Sequence, residues 1–157
     1  MGKARRWAGI LAATVALGFL GASCASAPAA QCGMDPTSAA IFNDVNVSRN
    51  QNGLPSLAPN GQLTCLAQGW SAYMAATNSF EHRNLSAVLA SPGYGGYHTL
   101  GENILEGPAG MTADQMHTAW MNSPDHRANI LDGAYSSLGI GLAYANGQVW
   151  ATEDFGG

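Results

Sequence analysis

Apolar residues recur at helical spacing in three separate stretches of the chain. In the first, Ile41 and Val45 with the neighbouring Ala39 and Ala40 form one apolar face, which predicts a helix from about Pro36 to Asn50 that "NQNGLP" then breaks. In the second, Leu63, Leu66, Ala67, Trp70 and Met74 repeat at helical intervals and predict a helix ending near Asn78. The third starts at Thr112. Thr112 and Gln115 make a capping box, Met111 can staple onto Met116, and Met116, Ala119 and Trp120 form the buried stripe. Ser123-Pro124 stops this helix and can open a short new turn, with Ser123 as N-cap and Pro124 at the first helical position.

The tail changes period. "LGIGLAYA" and "QVWATEDF" read as strands on either side of Asn146-Gly147, the two-residue signal of a type I′ hairpin. Between the second and third helices, from Glu81 to Gly110, neither period holds. That region is expected to be irregular, with "SPGYGGYHTLGEN" as its flexible centre. It is not a phosphate loop, because the lysine is missing and the last glycine of a GxGxxG would fall on His98. Helices first and a hairpin last favour an α+β fold over a doubly wound parallel sheet.

The N-terminus does not belong to this pattern. Lys3, Arg5 and Arg6 precede an apolar run from Trp7 to Ala22 and then the small residues of "SCASAPAAQ", the order of a secretory signal peptide. The division expected is a leader over 1–29 with cleavage after Ala29, a linker over 30–35, and one domain over 36–157. The alternative is a lipoprotein leader ending before Cys24, since "LGASC" imperfectly matches a lipobox. Once a leader holding three of the six Lys and Arg is gone, three arginines face ten Asp and Glu, a formal balance of −7. Such a charge argues against nucleic acid and anionic lipid head groups as partners. The mature chain carries no membrane-spanning run and is expected to be a monomer. Cys32 and Cys65 remain as an even pair in an oxidising compartment and are expected to bridge, two free thiols being the other reading.

Few residues can do chemistry. His82 in "FEHRN" and His126 in "DHRAN" each follow a predicted helix and precede an arginine, and Glu102 in "LGENIL" follows the Gly-rich stretch. Two imidazoles and a carboxylate would make a Zn²⁺ set, although spacing alone does not bring them together, and a hydrogen-bonding role for each is the plainer reading. Ser123 and His126 are a conceivable nucleophile pair, but nothing like a nucleophile elbow surrounds Ser123 and capping accounts for it. Asp125 suits the dipole of a first helical turn. His98 falls in the Gly-rich loop and His117 on a helix face expected to be exposed. Arg83 and Arg127 are read as structural, pairing with Glu81, Asp125 or the Glu102 loop.

In order, "FEHRN", "GENILEG", "AWMNSPDHRANIL" and "LGIGLAYANGQVWATEDFG" closely resemble the CAP superfamily (cysteine-rich secretory, antigen 5 and pathogenesis-related proteins), and most of all its bacterial SCP-like extracellular branch. The resemblance runs from about Ala40 to Gly156. It implies an α-β-α sandwich with a small, largely antiparallel sheet, and a cleft built around His82 and Glu102. The eukaryotic relatives have a His-Glu-Glu-His set that can hold a divalent metal. Here Ser123 stands at the place of the second Glu and Ala134 at that of the second His, so a three-ligand site or none is implied. His126 is then expected to furnish the cleft in their place, with Arg127 and Asn129 bracing its loop and Tyr94 and Tyr97 as further lining residues. Three functions follow from the resemblance: a non-catalytic binder of a lipid, sterol or envelope partner that needs no cofactor; a hydrolase, metal-assisted in one form, with His126 or Glu102 as general base; and a structural or signalling protein of the cell envelope. Secretion is expected, or anchoring through Cys24.

Overall fold

The computed structural model describes residues 30–157. The leader expected over 1–29 and the lipidation site at Cys24 lie outside the described residues. Helix α1 spans Pro36–Gln51, with Asp35 as a side-chain N-cap and a proline in its first turn. Helix α2 spans Gly61–Thr77, capped by the Asn60 side chain and closed by Asn78 at φ 51°. Helix α3 is the short turn Leu85–Leu89, α4 spans Ala113–Asn122, and α5 spans Pro124–Ile130. The capping box of Thr112 and Gln115 is present. Four strands, β1 (Ala58–Pro59), β2 (Leu100–Pro108), β3 (Ser137–Ala145) and β4 (Gln148–Gly156), form one sheet in the order β1-β3-β4-β2. Only the β1/β3 pair is parallel. Asn146 and Gly147 both have positive φ, as a type I′ turn between β3 and β4 demands.

The sheet sits between helical layers. Val149, Ala151 and Phe155 of β4 join Ile41, Val45, Met116, Trp120 and Ile130 in the larger core, on the α1/α4/α5 face. Trp150 points the other way and packs with Met74 and Ile104, while Ser71 of α2 hydrogen-bonds Thr152 at 2.8 Å. Both faces of β4 are therefore covered. Helix α2 lies very close to β3: a methyl group at Gly139 would come within 2.1 Å of the Thr64 amide nitrogen, and one at Gly141 within 2.1 Å of that of Gln68. Cys32 and Cys65 form a disulfide that ties the N-terminal segment to α2 across 33 residues. A closed loop of that length is worth about 3–4 kcal/mol in the chain-entropy account.

Five expectations are corrected. The stretch expected to be irregular holds α3 and all nine residues of β2. Its polar residues hide the strand, because Glu102 and Asn103 are buried by specific partners rather than turned to water. His117 is buried, 8% exposed, with Nε2 2.8 Å from Ser48 Oγ of α1, and it is Ala119 that faces outward. Ser123 occupies the N-cap position of α5, but its hydroxyl makes no cap bond. Arg127 is exposed and braces no loop through a side-chain hydrogen bond among the described residues, whereas Asn129 does.

Candidate functional site

The end of α2 delivers the first histidine. Asn78 in the left-handed conformation turns the chain sharply back, and "SFEHRN" runs toward β2. His82 Nδ1 lies 2.9 Å from Glu102 Oε1, with the ring still largely exposed and the carboxylate buried. The next residue completes the clamp: the Arg83 amide donates to Glu102 Oε1 at 3.2 Å, and its Nε donates to Oε2. The same guanidinium donates through Nη2 to Asp154 at 2.9 Å and through Nη1 to the Leu66 carbonyl at 3.1 Å. It also lies 5.2 Å from the centre of the Trp70 ring, within cation–π range. Arg83 is thus the structural residue anticipated, with Glu102 and the unanticipated Asp154 as its partners.

His126 arrives from the opposite face of the sheet. Asn129 of its helix donates to the Glu102 carbonyl at 3.1 Å and to Asn103 Oδ1 at 2.9 Å. Asn103 in turn donates to the His126 carbonyl at 3.1 Å and to Glu153 Oε2 at 2.8 Å. Strand β2 therefore carries Glu102 toward α2 and Asn103 toward α5, since neighbouring strand residues point to opposite faces. The imidazole of His126 lines a cleft of about 240 Å³ with Phe80, Ile104, Ala119, Trp120 and Ser123. Burial lowers its pKa from 6.5, and nearby His82 pushes the same way, with Asp125 opposing. No hydrogen bond joins Ser123 Oγ to His126, although both face this cleft.

The remaining lining residues lie elsewhere. Tyr94 borders a second, apolar groove beside Trp70, Arg83, Val88 and Leu66. Tyr97 packs against Gly156, where a methyl group would meet its ring at 2.6 Å. The two tyrosine rings are 6.4 Å apart. The Gly-rich loop they sit on is pinned, because the His98 and Thr99 amides both donate to the Gly157 carbonyl.

Two buried carboxyls escaped notice in the sequence. Glu153 and Asp154 are both fully buried on opposite faces of β4, and burial pushes each up to about 8. Asn103 opposes this at Glu153; Arg83 opposes it at Asp154, while Glu102 adds to it. Three polar residues in a row inside an otherwise apolar strand, "TED", were the available signal. Arg49 was also missed. It is fully buried and donates to the carbonyls of Pro55, Ile130, Asp132 and Tyr135, tying two loops and the end of α5 to α1. Its place four residues beyond Val45, itself four beyond Ile41, put it on the buried stripe.

The donor set does not suit a metal as it stands. Both Glu102 oxygens are engaged by Arg83 and His82, and a fixed guanidinium beside the carboxylate opposes a second cation. Among the described residues, no group of three or more His, Cys, Asp and Glu side chains is placed to hold a metal ion. Nor is any described helix long and apolar enough to cross a membrane.

A family model described as CAP, the cysteine-rich secretory protein family, matches residues 42–155. The uncharacterized protein YkwD of Bacillus subtilis strain 168 is 33% identical over 117 residues, which cover 71% of this chain and 44% of that relative. This chain thus spans less than half the length of that relative. An extracellular protein containing an SCP domain from Bacillus anthracis is 27% identical, with a TM-score of 0.63 over 78% of this chain and 44% of its own. An outer surface protein from Borrelia burgdorferi superposes with a TM-score of 0.70 over 82% of this chain and 98% of its own; at 13% identity that likeness is one of fold alone.

Proposed function

We propose, from the premise that this chain belongs to the CAP cysteine-rich secretory protein family, that it is an exported, non-catalytic module binding a small apolar ligand in the cleft beside β2. The observation that carries this reading is the state of Glu102. A general base must come within hydrogen-bond reach of a substrate proton. Glu102 is buried, and its two oxygens accept three hydrogen bonds from His82 and Arg83. It serves as the anchor that fixes the chain after α2, which builds one wall of the cleft through Phe80.

The cleft walls support an apolar occupant. Phe80 is 52% exposed at the rim, with Ile104 and Trp120 beneath it. Such a surface with a few polar groups at one end is the usual form of a small-molecule site. The hydrolase reading is less well served, because Ser123 and His126 share the cleft without the hydrogen bond that activates a nucleophile. Export is supported by the order of residues 1–29, by a disulfide, and by the extracellular relative from Bacillus anthracis.

Mass spectrometry of an organic extract of the purified protein tests the proposal. An apolar molecule should be released from the wild type and be absent from Ala119→Phe, which fills the cleft from an outward-facing helix position. An extract without such a molecule, or one unchanged in the variant, would count against the cleft as a binding site. Peptide or ester hydrolysis abolished by His126→Ala would establish the hydrolase instead.

A further inference from the structure

Fixed charge is spread unevenly over the surface. Asp35, Asp44, Asp114, Asp125 and Asp132 reach solvent from α1, α4, α5 or their ends, as does Arg127. Helix α2 carries no Asp, Glu, Lys or Arg, and neither does any position from Asn50 to Phe80. From Asn84 to Gly101 only His98 titrates near neutrality. A helix packed on one side ordinarily turns charged residues to water on the other. The outer side of α2 instead presents Leu66, Gly69, Trp70 and Tyr73, which fall on one helical face. Tyr73 is 44% exposed and stacks on Trp70, their ring centres 4.8 Å apart.

This face continues into the apolar groove of about 450 Å³ that Val88 and Tyr94 also wall. Arg83 lines the groove too, but its guanidinium is spent on Glu102, Asp154 and the Leu66 carbonyl. An exposed carboxylate, that of Glu81, stands at the rim, where Trp70 Nε1 donates to the Glu81 carbonyl at 3.0 Å. An apolar patch with a polar rim marks a protein or a membrane contact, and Trp and Tyr are enriched where a bilayer meets water.

The route of the chain separates these two partners. Cys65 borders the groove and holds Cys32, and the Gln68 side-chain amide donates to the Gly33 carbonyl at 3.0 Å. The N-terminal segment therefore meets the domain beside α2. Ala22, at the end of the apolar run, precedes Cys32 by ten residues, and Cys24 precedes it by eight. Ten extended residues span at most about 36 Å. A tether to a bilayer through either holds this face within that distance of it.

We propose that the outer face of α2, with Val88 and Tyr94, rests on the surface of an electrically neutral phospholipid bilayer, the acidic α1/α4/α5 layer being turned away. One acyl chain alone gives only marginal attachment, and a face of this kind supplies a second contact. The inference does not depend on what occupies the cleft beside β2.

Cosedimentation of the protein, purified after export, with lipid vesicles tests this. Phosphatidylcholine vesicles should bind it, with partitioning insensitive to salt and no stronger in an equimolar mixture with phosphatidylglycerol. Tyr73→Glu and Gly69→Glu should each lower partitioning about tenfold, the order of one aromatic side chain's transfer. Gly69→Glu should also keep its thermal stability, since nothing lies within 4 Å of the added Cβ. Val47→Glu places the same charge at an exposed apolar position of α1 and should leave partitioning unchanged. Absence of vesicle binding, binding that requires the anionic lipid, or an equal loss in Val47→Glu would overturn the proposal. Binding that neither α2 variant reduces would overturn it as well and assign attachment to the N-terminal segment. A dimer in sedimentation equilibrium that Tyr73→Glu dissociates, without vesicle binding, would give the face to a second copy instead.

Discussion

Arg83 grips Glu102 with both its main chain and its side chain, the amide on one carboxylate oxygen and Nε on the other. The guanidinium is 6% exposed and also holds Asp154, so a single cation serves two buried acids. Removing one partner of a buried pair costs more than the pair itself contributes, because the survivor, here chiefly Glu102, is left buried without its cation. Arg83→Ala should therefore destabilise the fold by about 3–5 kcal/mol in urea denaturation. A loss below 1 kcal/mol would show that water reaches these carboxylates.

Glu153 predicts an unusual slope of stability with pH. Complete burial pushes its pKa from 4.5 to about 8. Between those values the folded chain keeps a proton that the unfolded chain releases, so stability falls as pH rises through the window. Glu153→Gln keeps the shape and cannot ionise. It should match the wild type near pH 4 and exceed it by on the order of a few kcal/mol near pH 8, at roughly 1.4 kcal/mol per pKa unit. Parallel curves for the two proteins would refute this.

His117 acts in the other direction. Burial lowers its pKa from 6.5, with Asp44 and Asp114 pulling weakly against the change. The unfolded chain then takes up a proton that the folded chain refuses, and stability present above pH 6.5 is lost as pH falls below it. His126 shares the sign, so the comparison must be with a variant. Melting curves of His117→Gln should fall off less steeply than the wild type below pH 6.5. An unchanged acid limb would mean that α1 and α4 part readily around this ring.

Trp120 fills the main core and caps the Ile104 carbonyl. Trp120→Ala should cost about 3–5 kcal/mol through the cavity it leaves. Trp120→Phe keeps most of the apolar volume and loses the indole N–H, so a smaller cost of about 1–3 kcal/mol should remain for the exposed acceptor. Thermal stability unaltered in Trp120→Ala would place the residue outside the core.

The helices and the hairpin could be read from the chain because each has at least one regular apolar face. Ile41 and Val45, Leu63 and Met74, and Met116 and Trp120 are all buried. Strand β2 could not. Its inward groups include Glu102 and Asn103, and only the tertiary partners Arg83, Asn129 and Glu153 make those positions compatible with burial. The same limit applies to the site. His82 and Glu102 lie twenty residues apart and meet because Asn78 reverses the chain. Only the family resemblance paired them beforehand. His126, expected beside them, lines a cleft at the β2 edge together with Phe80, Ile104 and Trp120. His117 was misjudged because the stripe of Met116 and Trp120 gives no hint that α1 brings Ser48 against the ring.

The two glycines under α2 have an effect far from where they sit. Gly139 and Gly141 allow the helix to rest backbone against backbone on β3. That contact sets the height of the platform from which the chain departs at Asn78 to reach Glu102. A single methyl group at either position would lift α2, and the displacement would be felt at its far end as a gap opening between imidazole and carboxylate. Two positions that touch no ligand and carry no functional group thus bear on the alignment of the histidine, from inside the hidden scaffold rather than at the rim.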